Sequence, residues 1–189
     1  AIAAEGLSRR FGGGRTLVGK ELPSVHALQD VDIAAPEGKT LGVVGESGCG
    51  KSTLARLLVG LDRPTEGTIR IRGEDATAAT GPLGRRVQYV FQDPLASLNP
   101  RKTIRQTLEV PMRRLLGYDA RRREARLASL MDAVRLRAEF LDRYPHEFSG
   151  GQAQRIGVAR ALAAEAKIVV LDEPVSALDV SVQAQVLNL

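Results

Sequence analysis

The stretch GESGCGKST, at positions 45–53, constrains the fold of this chain more than any other. It satisfies the pattern G-x-x-x-x-G-K-[ST], in which glycines let backbone amides wrap phosphate groups. The run TLGVV before it is rich in β-forming residues, and a helical stretch from Lys51 to about Leu61 follows. The pattern therefore predicts a strand, a phosphate-binding loop and a helix; the alternative is an ordinary glycine-rich turn between a strand and a helix.

Two side chains of this loop have specific chemistry. The Lys51 ammonium is suited to the β and γ oxygens of a nucleotide, and the Ser52 hydroxyl is suited to Mg²⁺. Cys49, the one cysteine of the chain, is interpreted as a tolerated small residue, and the lack of other cysteines favours a reducing compartment. The predicted nucleotide-binding residues of the loop are Gly45, Glu46, Ser47, Gly48, Cys49, Gly50, Lys51, Ser52 and Thr53.

An acidic pair follows a second apolar run. The segment KIVVLDE, at 167–173, predicts a buried strand that ends at Asp172 and Glu173. Ligands of open α/β sheets gather at the carboxyl ends of strands, so Asp172 is predicted to hold Mg²⁺ through water. Glu173 is predicted to take a proton from a water that attacks the γ-phosphate. Taken alone, such a pair can also be a solvated strand end.

The segment HEFSGGQAQR, at 146–155, has the features of a second anion site. A serine and two glycines precede a predicted helix from about Gln152 to Ala164, and the N–H groups at a helix start favour negative charge. A chain that already has a phosphate loop needs a second phosphate, or a second molecule, to use such a turn.

The remaining pattern alternates between strands and helices. GTIRIRG, at 67–73, places Ile69 and Ile71 on one face of a half-buried antiparallel strand, and RVQYVFQD, at 86–93, is a candidate core strand. From about Thr103 to Phe140 the period becomes helical, and one predicted buried face contains Leu127, Leu130, Met131 and Val134.

Composition limits the class of protein only loosely. A length of 189 residues suits one main domain, and a net charge of +5 permits anionic partners without requiring them. No apolar run approaches the roughly 20 residues that a membrane span needs, so a membrane role would come through a partner. The first residues, AIAAEGLSRRFGGG, lack the apolar stretch of a signal peptide.

Taken together, these motifs resemble those of ABC ATPase domains. GESGCGKST, the glutamine of VFQDP (Gln92), FSGGQ (148–152), IVVLDEP (168–174) and SALD (176–179) occur in the order and spacing of that family. The resemblance implies an α/β fold: a P-loop NTPase core with a mainly parallel sheet and flanking helices, an N-terminal antiparallel β sub-domain and an inserted helical sub-domain. The implied parts are 1–99 for the β sub-domain and Walker A core, 100–148 for the helical sub-domain, and 149–189 for the signature helix, Walker B strand and D-loop.

The resemblance also implies roles for individual residues. Phe11 corresponds to an aromatic residue that stacks on adenine, although a phenylalanine in such a strand is otherwise a core residue. Gln92 corresponds to the glutamine that contacts Mg²⁺ and the attacking water. Asp179 corresponds to the D-loop acid, although alone it would be read as a helix N-cap. The signature residues Ser149, Gly150, Gly151 and Gln152 would contact ATP held by the second subunit of a head-to-tail dimer.

More specifically, VFQDPLASLNPRKT, RYPHEFSGGQAQR and DEPVSALDVSVQAQVLNL resemble the ATPase subunits of importers of dipeptides, oligopeptides and nickel. The implied cofactors are ATP and Mg²⁺. The implied partners are a second ABC ATPase subunit of identical or homologous sequence, transmembrane permease subunits and, indirectly, an extracytoplasmic solute-binding protein. The implied place is the cytoplasmic side of the membrane.

The resemblance is incomplete at two kinds of position. Phe148 and Ala153 depart from the commonest residues of the wider family without removing a phosphate contact. The family's switch histidine would follow SALD, whereas the two histidines here, His26 and His146, precede it. We therefore expect that the natural protein continues beyond Leu189 and that the 189-residue chain hydrolyses ATP inefficiently.

Parts of the sequence are also compatible with other functions. The arginine-rich segment 113–137 permits nucleic-acid binding, as in ABC ATPases of repair or translation, but a solvated helix with a buried apolar face has the same pattern. Such ATPases normally have a coiled coil, a zinc module or a long insert between Gln92 and Ser149, whereas the 56 residues here fit one compact helical sub-domain. No nucleic acid is therefore expected as a partner. In a phosphate-loop kinase, the serine-glycine signature would have no function.

Overall fold

The computed structural model of the chain describes residues 1–13, 23–78 and 83–173. The chain divides into two compact units, Ala1–Arg86 and Val87–Leu189. The predicted division into parts at 99/100 and 148/149 remains a prediction. Each unit is built around its own elements.

The first unit contains an antiparallel sheet in the order β2-β1-β3-β4. Its strands are β1 (Ile2–Gly12), β2 (Ser24–Ala35), β3 (Glu66–Ile71) and β4 (Glu74–Asp75). The predicted antiparallel strand is confirmed in β3, where Ile69 and Ile71 are 1% and 0% exposed and Arg70 is exposed. Alternation with a period of two therefore identified the buried face correctly.

The strand predicted directly before the phosphate loop is wrong for the described residues. Residues 39–46 form no strand, and Leu41, Val43 and Val44 are exposed, Val44 by 95%. β-branched residues favour strands because they pack on neighbouring strands, and the sheet of this unit does not include the run. The run thus has a local preference for the strand conformation but no neighbouring strand in this sheet to pair with.

The helix after the loop, α1 (Lys51–Leu58), is shorter than predicted. Gly60 has φ +73°, and its amide donates to the Leu57 carbonyl at 3.0 Å, while the Leu61 amide donates to the Arg56 carbonyl at 2.9 Å. A glycine in the left-handed conformation is a common helix stop, because it satisfies the last carbonyls and leaves the helical path.

The second unit places three helices around one apolar cluster. They are α2 (Ile104–Arg114), α3 (Ala120–Ala133) and α4 (Gly150–Ala163). The predicted helical face is confirmed, since Leu127, Leu130, Met131 and Val134 are at most 1% exposed. The predicted continuous segment is broken, because Gly117 has φ +67° and Asp119 caps α3 by accepting from the Arg122 amide at 2.8 Å.

The same unit contains a pair of parallel strands, β5 (Val87–Val90) and β6 (Ile168–Leu171). In β5 the end residues are buried, with Val87 at 3% and Val90 at 1% exposure. The prediction that β6 is a buried strand is wrong for one of its faces, because Val169 and Leu171 are 38% and 45% exposed. Its sheet consists of two strands among the described residues, so one face of β6 has no cover there.

Candidate functional site

The phosphate loop leads directly into α1. Gly50 caps this helix with φ +98°, and a Cβ at this position would lie 2.4 Å from the carbonyl oxygen of Ala27 in β2. Only glycine therefore lets the loop pass this close to β2. The turn brings the N-terminus of α1, where N–H groups lack intrahelical acceptors, to the loop; Ser52 is exposed and Thr53 half-buried in its first turn.

The Lys51 ammonium lies on the carbonyls of its own loop. It donates to the Gly45 oxygen at 2.9 Å and to the Glu46 oxygen at 2.7 Å, and it lies 3.9 Å from the Cys49 sulfur. Phosphate oxygens carry full negative charge and form stronger bonds to an ammonium than carbonyls do. A phosphate could therefore exchange with these carbonyls. Glu46, Ser47 and Gly48 are exposed.

Cys49 packs within the loop. A Cβ on Gly45 would lie 2.7 Å from the Cys49 sulfur, so the thiol fills the space that the missing side chain leaves. Cys49 is nevertheless exposed, and its interpretation as a tolerated small residue remains a prediction.

Phe11 lies near the end of β1, opposite Val25 of β2. Its ring is 40% exposed, so the alternative of a core residue is wrong. The Arg9 guanidinium lies 4.6 Å from the ring centroid and covers one face. A base that stacks on Phe11 would use the opposite face or displace Arg9.

The acidic pair lies at the end of β6 in the second unit. The register pairs Tyr89 with Val170 and Val90 with Leu171, and the Asp172 amide then donates to the Val90 carbonyl at 3.1 Å. Asp172 is 7% exposed, whereas Glu173 is exposed and has φ +45°. A left-handed conformation is uncommon for a glutamate, and such backbone strain clusters at functional sites.

Gln92, which follows β5, meets Glu173. The Gln92 side-chain nitrogen donates to Glu173 Oε2 at 2.9 Å. The structure thus brings together two predicted site residues that are 81 positions apart. This bond uses the amide nitrogen of Gln92 and does not use its amide oxygen.

Sequence reasoning missed Tyr89. Its hydroxyl donates to Asp172 Oδ2 at 2.7 Å, and its ring makes an edge-to-face contact with Phe91 at 4.5 Å between centroids. A tyrosine inside an apolar run is consistent with core packing, and nothing in the local pattern gives the partner of its hydroxyl.

The serine-glycine turn forms the start of α4, as predicted. Ser149 Oγ accepts from the Gln152 amide at 3.3 Å, and the Gln152 side-chain oxygen accepts from the Ser149 amide at 3.1 Å. This capping box fixes the turn, and the Ser149 oxygen acts in it as an acceptor, which leaves its proton for another bond. Gly150 is exposed and Gly151 half-buried in the first turn.

Arg160 connects α4 to residues 93–98, the segment that follows Gln92. Its guanidinium donates to the Ser97 carbonyl at 2.7 Å and to Ser97 Oγ at 3.3 Å, and it lies 5.6 Å from the Phe91 ring centroid. Burial lowers the pKa of Arg160 below the ordinary arginine value. Arginine remains charged in proteins, so these contacts hold a largely desolvated cation against the segment.

The arginine-rich segment is partly neutralised within its own unit. Arg123 pairs with Glu109 at 3.5 Å, and Arg126 with Glu165 at 3.7 Å. Arg105 of α2 binds Glu124 of α3 as well. These pairs and the buried face of α3 favour the interpretation of a solvated helix.

Asp179 lies outside the described residues. Within the described ranges, no group of three or more His, Cys, Asp or Glu side chains could hold a metal ion. No helix in the described part of the chain has both the length and the apolar content that crossing a bilayer requires.

Comparison with known proteins identifies a family. The family model described as ABC transporter matches residues 28–176. The oligopeptide transport ATP-binding protein AppF of Bacillus subtilis is 48% identical over 175 residues, which cover 90% of this chain and 53% of AppF. The dipeptide transport ATP-binding protein DppF of Haemophilus influenzae is 53% identical over 169 residues, which cover 87% of this chain and 52% of DppF. The chain thus spans about half the length of these curated relatives.

A solved structure supports the same assignment. A dimeric ATP-binding cassette in a post-hydrolysis state, bound to ADP and Pi, superposes with a TM-score of 0.85 at 27% identity. The match covers all of this chain and 80% of that cassette. The predicted fold class, a P-loop NTPase with an antiparallel β sub-domain, is confirmed by this likeness.

Arg160→Ala tests whether the half-buried Arg160 guanidinium holds the segment after Gln92. The Ala96 amide donates to Asp93 Oδ1, and the Leu98 amide to the Leu95 carbonyl. We expect both amides to exchange with solvent roughly tenfold faster or more in the variant, because bonds to a charged donor are lost. Hydrogen exchange resolved by NMR measures this directly.

The matched control is Arg122→Ala, which removes an arginine that lies 4.3 Å from the Tyr118 ring centroid. It should leave the exchange of Ala96 and Leu98 unchanged. Equal exchange rates in the Arg160→Ala variant and the parent chain would show that the contact does not order the segment.

Proposed function

Because this chain belongs to the ABC transporter family, we propose that it is the ATP-binding and ATP-hydrolysing subunit of a peptide importer. Its relatives AppF and DppF are named as oligopeptide and dipeptide transport ATP-binding proteins. These names do not support the alternative of a nucleic-acid-associated ATPase. We also propose a place on the cytoplasmic side of the membrane, against permease subunits that receive peptides from a solute-binding protein.

The contact between Gln92 and Glu173 is the observation that carries the hydrolytic function. Glu173 is exposed at the end of β6, so water can reach its carboxylate. The Gln92 amide holds one carboxylate oxygen at 2.9 Å and thereby orients the group. In the proposed reaction, Glu173 accepts a proton from the water that attacks the γ-phosphorus, and the bond from that phosphorus to the β–γ bridging oxygen breaks, so that ADP leaves and phosphate is released. The Lys51 ammonium stabilises charge on the phosphate oxygens.

The side-chain chemistry of the proposed donors suits Mg²⁺ bound together with a nucleotide. The proposed donors are the Ser52 hydroxyl, the Gln92 amide oxygen and the Asp172 carboxylate, the last through water, and all are oxygen donors. When bound, the ion would neutralise charge on the phosphates.

We further propose that the turn at 149–152 contacts ATP held by a second ABC ATPase subunit, of identical or homologous sequence. Gly150 supports this role, because a Cβ placed there meets nothing within 4 Å and its φ is not in the left-handed region. Glycine is unfavourable in helices, and the packing of the described residues does not require it here. A close approach by another molecule would require it. In this proposed pair of subunits, Phe11 stacks on the adenine of ATP, and Asp179 acts as the D-loop acid that signals from one subunit to the other.

Glu173→Gln tests the hydrolytic role in the assembled transporter. We expect ATP turnover to fall by about 100-fold or more, because an amide cannot accept the proton, while binding of MgATP persists. Glu139→Gln, which alters an exposed glutamate paired with Arg137, is the matched control and should retain turnover. Turnover in Glu173→Gln above half of the parent value would contradict the proposed role.

Gly150→Ala tests the contact with a second subunit. We expect the variant chain to be as stable as the parent or more stable, by up to about 1 kcal/mol, because alanine favours the helix. Turnover by the assembled transporter should nevertheless fall at least tenfold, because the added methyl would obstruct the neighbouring nucleotide. Urea unfolding and phosphate release measure the two effects.

Gly157→Ala in the same helix is the control for this test. Its Cβ would meet Val90 Cγ1 at 4.0 Å, an ordinary contact, so both stability and turnover should be retained. Parent-like turnover in Gly150→Ala would remove the case for an approaching partner at this turn.

A further inference from the structure

We propose that Tyr89 is a positioning residue that orients the Asp172 carboxylate toward Mg²⁺. The inference rests on the proposed function, since it assigns Asp172 to the metal, and it adds a residue that no motif identifies. The observation behind it is the bond from the Tyr89 hydroxyl to Asp172 Oδ2 at 2.7 Å.

Asp172 is attached to β5 at two points. Its amide donates to the Val90 carbonyl at 3.1 Å, which fixes the backbone, and the neighbouring residue Tyr89 binds the carboxylate. The torsion that rotates an aspartate carboxylate is soft, so the backbone bond alone leaves the plane of the carboxylate undetermined. A hydrogen bond to Oδ2 sets that plane and directs Oδ1 elsewhere.

The chemistry of a phenol suits this task. At neutral pH it is an uncharged donor, so it stabilises an ionised carboxylate and leaves its negative charge intact. A lysine or arginine in the same place would form an ion pair and weaken the attraction for a cation. At 7% exposure, Asp172 has little bulk water to orient it, which makes a protein donor more effective.

Tyr89 is itself held in place. Its ring meets the Phe91 ring edge-on, with the centroids 4.5 Å apart and the planes at 82°. Phe91 in turn lies under the Arg160 guanidinium. A hydroxyl carried on a packed ring has few alternative positions, and this is the property that a positioning residue needs.

The carboxylates of Asp172 and Glu173 thus accept hydrogen bonds from different residues at the end of β6. Tyr89 contacts Asp172, and Gln92 contacts Glu173. Loss of the Tyr89 hydroxyl should affect metal binding, whereas changes at Glu173 should affect proton transfer.

Tyr89→Phe is the test, because it removes the hydroxyl and keeps the ring that packs on Phe91. The probe is Mn²⁺, whose binding to the assembled transporter is measured by electron paramagnetic resonance with a non-hydrolysable ATP analogue present. We expect the dissociation constant for Mn²⁺ to rise about 10-fold, the lower end of the effect of outer-shell partners on metal affinity. Nucleotide affinity measured in EDTA should not change.

Tyr118→Phe is the matched control. The Tyr118 hydroxyl also binds a carboxylate, Glu165 Oε1, at 2.9 Å, but this pair joins the start of α3 to the end of α4. The control removes the same kind of bond and should leave Mn²⁺ affinity at the parent value. If the role of Tyr89 were purely structural, Tyr89→Phe and Tyr118→Phe would both retain the parent affinity for Mn²⁺.

An Asp172→Asn variant separates failure of this inference from failure of the proposed function. If Asp172→Asn weakens Mn²⁺ binding and Tyr89→Phe does not, Tyr89 has no positioning role and the proposed metal site stands. If Asp172→Asn retains parent affinity, the assignment of Asp172 to the metal is wrong and the inference fails with it.

Discussion

The parallel pairing of β5 with β6 is the constraint on which the second unit's candidate site depends. Once Val90 lies opposite Leu171, the next residues on both strands meet, and the Asp172 amide reaches the Val90 carbonyl. A shift of the register by one residue would turn every side chain to the other face. The contacts of Gln92 with Glu173 and of Tyr89 with Asp172 would then be lost together. The chemistry of the acids thus follows from backbone hydrogen bonds.

The C-terminal end of α4 is joined through Arg160 to the segment that follows β5. A partly desolvated cation gains from hydrogen bonds, and those from the half-buried Arg160 to Ser97 hold the segment after Gln92 close to the helix. The other end of that helix is the capped turn at Ser149. If a second subunit contacts this turn as proposed, α4 would connect that contact to the segment next to Gln92.

Sequence reasoning succeeded where local rules determine the structure. The buried face of α3, the alternation in β3 and the capped start of α4 depend on periodicity and capping, and all three are confirmed. Reasoning failed where burial depends on a neighbour, as in the apolar run before the phosphate loop and on the exposed side of β6. It also missed Tyr89, because the partner of a hydroxyl lies 83 positions away and no spacing rule connects them.

The central functional claim is that two subunits share each ATP. It can be tested with transporters purified through a tag on a Lys51→Ala version of this chain, beside a partner ATPase subunit that retains its own phosphate loop. An ATP analogue with a photoreactive group on the γ-phosphate is bound and illuminated, and labelled peptides are identified by mass spectrometry. The account predicts label on the tagged chain at residues 149–152, although that chain cannot hold nucleotide itself. A tagged chain that stays unlabelled, beside a labelled partner, would contradict it.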